Sequence, residues 1–205
     1  MNIPVLSLDM EDPLSFIDRY GSFETVKVGH NLAVYGKGVL GALADMGLTV
    51  IIDLKFADIP STVMRSIRAW DHPAVIGFTV HSGAGIDSMK AAREATDKHV
   101  FAVVKLTSVE GILQDYIETI EKLYDIGMDF VLPGRWARHL REKLSRSAFL
   151  VPGIRMERTS DDQKDTITLQ EIKGVADYTV IGREVYFDKN PTAKMKKIKD
   201  ILGRE

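Results

Sequence analysis

The feature that most constrains this chain of 205 residues is a regular alternation of short apolar runs with longer amphipathic segments. Apolar runs of four to eight residues bounded by turn signals are typical of buried strands, and apolar residues every three or four positions are typical of helices. Strands that alternate with helices indicate a parallel sheet. The predicted strands span residues 4–9, 24–29, 49–55, 74–81, 100–106, 129–133, 148–152 and 177–183.

Each predicted strand is followed by a helix, and the strands start about 20 to 30 residues apart with no linker between them. Eight such units predict one closed (β/α)₈ barrel domain spanning residues 1–205, at the short end of the usual length of that fold. An open, doubly wound α/β sheet is the structural alternative. The predicted helices start at Asp12-Pro13 and at Asn190-Pro191, and otherwise span about residues 32–46, 60–70, 84–96, 113–126, 137–144 and 169–173.

Composition excludes several classes of function. Apolar content of 45% and charged content of 27% are typical of a soluble globular protein. A net charge of −2 provides no basic field for nucleic acid or anionic membranes. Cysteine is absent, which excludes disulfides and thiol chemistry. No signal peptide or membrane-spanning run is visible, so we expect a soluble cytoplasmic protein that binds neither nucleic acid nor membrane.

Charged residues stand at the carboxyl end of the third predicted strand, where Asp53 and Lys55 follow a buried apolar run. Residues two apart in a strand share a face, and an ionised group removed from water needs a partner. A structural salt bridge would explain this pair alone. However, Asp9 and Lys27 end the first and second strands on the same face. Because barrel enzymes build their active sites at the carboxyl ends of strands, this convergence predicts a catalytic or binding site.

A phosphate site is predicted at the end of the eighth strand, which carries Gly182 and Arg183. Glycine permits close backbone approach, and the planar guanidinium of arginine matches phosphate oxygens. Barrels often bind phosphate at the loops after their seventh and eighth strands. The loop after the seventh strand, residues 153–164, is long and polar, as expected of a lid over a ligand or of a solvated surface loop.

With these residues in place, nearly the whole chain resembles the orotidine 5′-phosphate decarboxylase family. The resemblance implies a dimeric (β/α)₈ barrel that uses no cofactor and no metal. It also implies conversion of orotidine 5′-phosphate to UMP and carbon dioxide in pyrimidine biosynthesis. The most specific motif is Asp53-x-Lys55-x-x-Asp58-Ile59-Pro60. Supporting motifs are Leu8-Asp9, Lys27-Val28-Gly29, Val80-His81, Pro152-Gly153-Ile154-Arg155, Asp162-Gln163 and Val180-Ile181-Gly182-Arg183.

The resemblance implies catalytic roles for four residues in a Lys-Asp-Lys-Asp array. Lys55 would stabilise the carbanion that develops at C6 and then protonate it as a general acid. Asp53 would lie beside the substrate carboxylate, where like charges disfavour the ground state relative to the transition state. Lys27, with Asp9, would hold the ribose hydroxyls and orient the neighbouring charges. Asp58 would come from the partner subunit of a homodimer.

The resemblance also implies a substrate-binding set. The residues that follow Asp58 would enter the partner's site with it, and a loop serine and a lid glutamine would contact the pyrimidine. The same glutamine and an arginine would grip the phosphate, while a proline would line the pocket for carbon dioxide. This set comprises Asp9, Ile59, Thr62, Ser108, Pro152, Gln163, Gly182 and Arg183.

Other interpretations remain for single residues and for the whole chain. Asp58 stands before a helix start and could be an N-cap, Thr62 could be an ordinary first-turn residue, and Ser108 could be loop polarity. A magnesium-dependent decarboxylase or aldolase of keto-sugar phosphates shares the core motif. It needs a carboxylate on the second strand for its metal, where this chain has Lys27. A non-catalytic nucleotide-binding barrel would not need Lys55 as an acid.

Overall fold

The eight predicted strands close into a parallel barrel in the computed structural model, which describes residues 2–106, 108–156 and 167–203. The predicted (β/α)₈ barrel is therefore confirmed, and the open-sheet alternative is wrong. A short parallel pair, β8 with β9, lies outside the barrel and was not predicted. The strands are β1 (Ile3–Ser7), β2 (Thr25–Val28), β3 (Thr49–Phe56), β4 (Val75–His81), β5 (His99–Val103), β6 (Asp129–Val131), β7 (Phe149–Val151), β8 (Ile154–Arg155), β9 (Ile167–Thr168) and β10 (Tyr178–Ile181).

Helices follow the barrel strands as predicted, with differences at their ends. The predicted helix at residues 32–46 is two helices, because Gly36 adopts a φ of 59° and ends the first. A short helix directly after β10 was not predicted. The helices are α1 (Pro13–Tyr20), α2 (Asn31–Tyr35), α3 (Gly38–Asp45), α4 (Pro60–Ala69), α5 (Ile86–Glu94), α6 (Ile117–Asp125), α7 (Gly134–Leu140), α8 (Leu169–Ile172), α9 (Arg183–Tyr186) and α10 (Pro191–Leu202), with 3₁₀ turns at Ser82–Ala84 and Leu113–Tyr116.

Local capping explains several of the helix starts. The Asp12 side chain accepts a hydrogen bond from the backbone N–H of Ser15, and the Asn190 side chain accepts one from Ala193. Each cap is followed by a proline at the first helical position, where its missing N–H costs nothing. The predicted starts of α1 and α10 are therefore confirmed. Among the described residues, no helix has the length and apolarity required to span a membrane.

The core has two layers that follow strand parity. Side chains such as Val26, Ile52 and Phe78 pack outward against the helices. A smaller inner cluster fills the barrel, and it includes Ile51 and Phe101. The inner apolar cluster lies below the charged carboxyl ends of the strands. The site described next is formed at those ends.

Candidate active site

A cavity of about 250 Å³ opens at the carboxyl ends of the barrel strands. Its wall combines charged side chains from the ends of β1, β2 and β3 with guanidinium groups that follow β7 and β10. This is the edge at which barrel enzymes bind their substrates. The predicted site residues that line it are Asp9, Lys27, Asp53, Lys55, Pro152, Gly182 and Arg183.

Asp53 lies between two lysines on one wall of this cavity. Lys27 Nζ lies 2.5 Å from Asp53 Oδ2 and 3.9 Å from Asp9 Oδ2. Lys55 Nζ lies 2.9 Å from Asp53 Oδ1. The structure thus brings together the four charges for which strand parity predicts convergence. Asp53 and Lys55 do form an ion pair, but both also face the cavity, so a purely structural salt bridge does not describe them.

Burial and charge act in opposite directions on this cluster. Burial alone would raise the pKa of Asp53, but the charges of Lys27 and Lys55 outweigh it and hold that pKa below its ordinary value. Burial would lower the pKa of Lys27, but the carboxylates of Asp53 and Asp9 outweigh it and raise that pKa. Both directions favour the charged forms, so Lys27 and Asp53 form a buried ion pair at neutral pH.

The backbone of Lys55 departs from a regular strand. Its φ is 48°, and it is the one non-glycine residue with a positive φ among residues 2–106, 108–156 and 167–203. Ile52 pairs with Phe78 on the neighbouring strand and Phe56 pairs with Val80, so four steps along β3 match two along β4. The strand predicted to reach Lys55 does so, but its pairing with β4 is irregular there. A bulge, rather than simple alternation, accompanies the position of Lys55 at the cavity.

The opposite wall carries the candidate phosphate site. Gly182 precedes α9, and a Cβ added there would come within 3.3 Å of the Tyr186 ring, so the position is close-packed. Arg183 is the first residue of that helix and lines the cavity. Arg155, which is only 6% exposed, lines it as well, so two guanidinium groups face the cavity, and a guanidinium suits an anion such as phosphate. Burial, followed by the charge of Asp9, raises the pKa of Tyr186.

Four residues of the site received no role from the sequence: Thr79, Lys105, Arg155 and Tyr186. Lys105 is 6% exposed, lines the cavity and lies 5.5 Å from the centre of the Trp136 ring. Its place near the carboxyl end of a predicted strand is the same signal that identified Lys27, so it was accessible to sequence reasoning. Thr79 gives no such signal, because threonine is an ordinary strand residue.

The remaining predicted residues do not line this cavity. Asp58 and Ile59 are exposed and belong to a separate groove with the segment from Gly83 to Ser88. Thr62 lies in the first turn of α4, where its hydroxyl accepts a hydrogen bond from Arg65. Ser108 is exposed in a turn. Gln163 and the part of the predicted lid at residues 157–164 lie outside the described residues.

The N-cap interpretation of Asp58 is wrong. The N-cap of α4 is Ile59, and it makes no side-chain cap. Asp58 Oδ1 instead accepts a hydrogen bond from the backbone N–H of Ile59 at 2.7 Å. The backbone oxygen of Asp58 accepts one from the Ser88 hydroxyl, also at 2.7 Å. The Asp58 carboxylate therefore lies at the surface, outside the cavity of its own chain.

A closed (β/α)₈ barrel with paired lysines, carboxylates and guanidinium groups at its carboxyl rim defines a class, the barrel enzymes that act on small anionic substrates. Residues 4–198 match the family described as Orotidine 5′-phosphate decarboxylase / HUMPS family. The chain belongs to this family, which confirms the resemblance that the sequence motifs indicated.

Individual relatives agree with this assignment. The chain is 63% identical over 198 residues to the orotidine 5′-phosphate decarboxylase of Thermotoga maritima, covering 97% of this chain and 98% of that one. The crystal structure of a Thermotoga maritima orotidine 5′-phosphate decarboxylase has a TM-score of 0.89, at 60% identity over 96% of this chain and 98% of that one. A Methanocaldococcus jannaschii orotidine 5′-monophosphate decarboxylase, complexed with the inhibitor BMP, has a TM-score of 0.79 at 25% identity, covering all of both chains. The predicted decarboxylase class is therefore confirmed.

Proposed function

We propose that the protein removes carbon dioxide from orotidine 5′-phosphate to give UMP in pyrimidine biosynthesis, using only its own side chains. The observation that carries this proposal is the Lys27–Asp53–Lys55 cluster, which faces the same cavity as Arg155 and Arg183. The similarity to decarboxylases of this name supports the same substrate. The cytoplasmic location stays a prediction.

The two walls of the cavity suit the two ends of this substrate. Arg155 and Arg183 offer guanidinium groups to the phosphate, and Gly182 lies next to them. Asp9 and Lys27, at the ends of β1 and β2 beside this phosphate site, would hold the ribose hydroxyls. Pro152 lines the cavity with apolar neighbours and would receive the departing carbon dioxide. Binding energy from the phosphate can then be used at the pyrimidine, where the reaction occurs.

The chemical step follows from the position of Lys55. The bond between C6 and the carboxylate carbon breaks, its electron pair stays on C6, and carbon dioxide leaves. The ammonium group of Lys55 stabilises this negative charge and gives C6 a proton, as a general acid. Asp53 is ionised because two lysines surround it, so it repels a carboxylate placed beside it. That repulsion is relieved as the substrate loses its charge.

The array is completed by a second subunit in this proposal. Asp58, Ile59 and Thr62 would enter the site of the partner in a homodimer. Their support is their position: Asp58 and Ile59 are exposed, and neither they nor Thr62 line the cavity of their own chain. Ser108, which is exposed as well, and Gln163 keep their proposed contacts with the pyrimidine and the lid as predictions.

The test is an absorbance assay of orotidine 5′-phosphate consumption by purified protein, run with no added metal and again with excess chelator. We expect equal rates under both conditions and one UMP formed per substrate consumed. A rate that disappears with chelator and returns with magnesium would favour the keto-sugar-phosphate class instead. Tight UMP binding without turnover would favour a nucleotide-binding barrel.

A further inference from the structure

We infer that Thr79 is a positioning residue for the reaction, acting through Asp53 and the backbone of Lys55; this inference rests on the proposed function. Thr79 lies on β4 inside the barrel and is fully buried. Its hydroxyl oxygen accepts a hydrogen bond from the backbone N–H of Lys55 at 2.9 Å. The same hydroxyl donates to Asp53 Oδ1 at 2.9 Å. One side chain thus contacts two members of the charged cluster.

The bond to Lys55 accounts for the irregular backbone at that residue. The bulge between Ile52 and Phe56 takes the N–H of Lys55 out of the regular pairing with β4. This partly buried N–H needs another acceptor, and the Thr79 hydroxyl provides it. A lysine with a φ of 48° persists only where its surroundings hold it. Thr79 is therefore part of what keeps Lys55 in the conformation that places it at the cavity.

The bond to Asp53 fixes the orientation of its carboxylate. Oδ2 faces Lys27, while Oδ1 faces both Lys55 Nζ and the Thr79 hydroxyl. A hydroxyl has a single proton to donate. The alternative acceptor, the carbonyl oxygen of Ile52, lies 3.5 Å away, so the proton goes to the nearer carboxylate. With this bond in place, each oxygen of Asp53 faces one lysine, and the proton donor is held beside the carboxylate.

The test compares two substitutions that differ in the hydroxyl. Thr79→Val keeps the shape and removes the hydroxyl, whereas Thr79→Ser keeps the hydroxyl. For Thr79→Val we expect kcat to fall about tenfold or more, with KM for orotidine 5′-phosphate within about twofold of wild type, because the phosphate site is on the other wall. Thr79→Ser should recover most of kcat. Equal kcat in wild type and Thr79→Val would overturn the inference, as would an equal loss in both variants.

The matched control is Thr25→Val, which removes another hydroxyl inside the barrel. Thr25 is buried and pairs with Thr49 at the amino-terminal ends of the strands, away from the cavity. Its kcat should equal that of wild type. If Thr79→Val gives no folded protein, Thr79→Ala removes the same hydroxyl without adding bulk, and the same comparison applies.

A crystal structure of Thr79→Val decides the matter independently of activity, so that failure of the proposed function can be told from failure of this inference. We expect Lys55 to leave the left-handed region, or its Nζ to move away from Asp53 Oδ1. Lys55 unchanged in both respects would overturn the inference even if orotidine 5′-phosphate is not the substrate.

Discussion

The two ends of the barrel both contain carboxylates bonded to side chains, and these carboxylates are held in different ways. At the amino-terminal end, Asp129 contacts His99 Nδ1 at 2.7 Å and also accepts the backbone N–H of Ala148. Asp177 contacts Arg141 at 2.8 Å and accepts the backbone N–H of Phe149. Each carboxylate thus ties a side chain to the main chain at the start of the neighbouring strand β7, at Ala148 just before it or at Phe149.

At the carboxyl end, the hydrogen bonds to the Asp53 carboxylate that the described residues show come from side chains: Lys27, Lys55 and Thr79. A carboxylate that accepts a backbone N–H is part of the architecture, since moving it would break the hydrogen bond that connects it to the neighbouring main chain. A carboxylate held by side chains that also face a cavity can interact with a ligand. The type of partner, rather than the presence of an ion pair, therefore separates the structural end of this barrel from the reactive end.

The strongest test of this contrast is Lys55→Ala. We expect turnover of orotidine 5′-phosphate to fall by at least about 10³-fold, since general acid catalysis contributes about 10²- to 10⁴-fold and the electrostatic stabilisation of C6 is lost with it. The fold should persist, because Asp53 keeps Lys27 as its partner. Steady-state kinetics and thermal unfolding measure the two effects.

Lys122→Ala is the matched control for that experiment. Lys122 is exposed and pairs with Glu118 one helical turn away, so its removal should change neither activity nor stability appreciably. Substantial turnover by folded Lys55→Ala protein would contradict the assignment of Lys55 as proton donor.

The next test asks whether one chain contains the whole reactive end. Lys55→Ala and Asp58→Asn chains should each be inactive alone. In the proposed homodimer, unfolding and refolding them together would give heterodimers with one intact site, so we expect about one quarter of wild-type activity from an equal mixture. Activity per milligram of mixed protein, over a range of mixing ratios, measures this.

Lys55→Ala chains mixed with chains carrying both substitutions form the control, because no intact site can arise in that mixture. If the first mixture stays as inactive as the control, Asp58 does not act in the site of a partner subunit.

Sequence reasoning located the reactive end because two regular features encode it. Strand parity and the position of charges at strand ends are sufficient to bring Asp9, Lys27 and Asp53 together. Asp58 was harder to place, because it follows the end of β3 at Phe56, where strand parity no longer applies.

The bulge at Lys55 and the roles of Thr79 and Arg155 could not be predicted from strand parity and strand ends. The bulge at Lys55 depends on which residues of β4 pair with β3, and no turn residue or glycine marks it in the sequence. Thr79 is identified only by its distance to Asp53 and Lys55. Arg155 was quoted as part of a motif, but its role as a second guanidinium at the cavity needed the closed barrel.

The smallest expected effect on activity comes from breaking a pair at the amino-terminal end. Arg141 contacts Asp177 and the backbone carbonyls of Leu144 and Ser147, and its guanidinium lies 4.0 Å from the centre of the Phe149 ring. We expect Arg141→Met to lower the free energy of unfolding by about 2 to 4 kcal/mol, because partly buried acceptors lose their donor. Denaturant unfolding measures this loss.

Kinetic measurements on Arg141→Met test whether the amino-terminal end of the barrel contributes to activity. At temperatures where Arg141→Met is folded, its kcat and KM should match those of wild type, since the amino-terminal end holds the architecture and contributes nothing to the cavity. Arg138→Met, an exposed change in α7, whose C-cap is Arg141, is the control and should alter neither property. A kcat for Arg141→Met that falls in proportion to its stability loss would contradict the division of the barrel into a structural end and a reactive end.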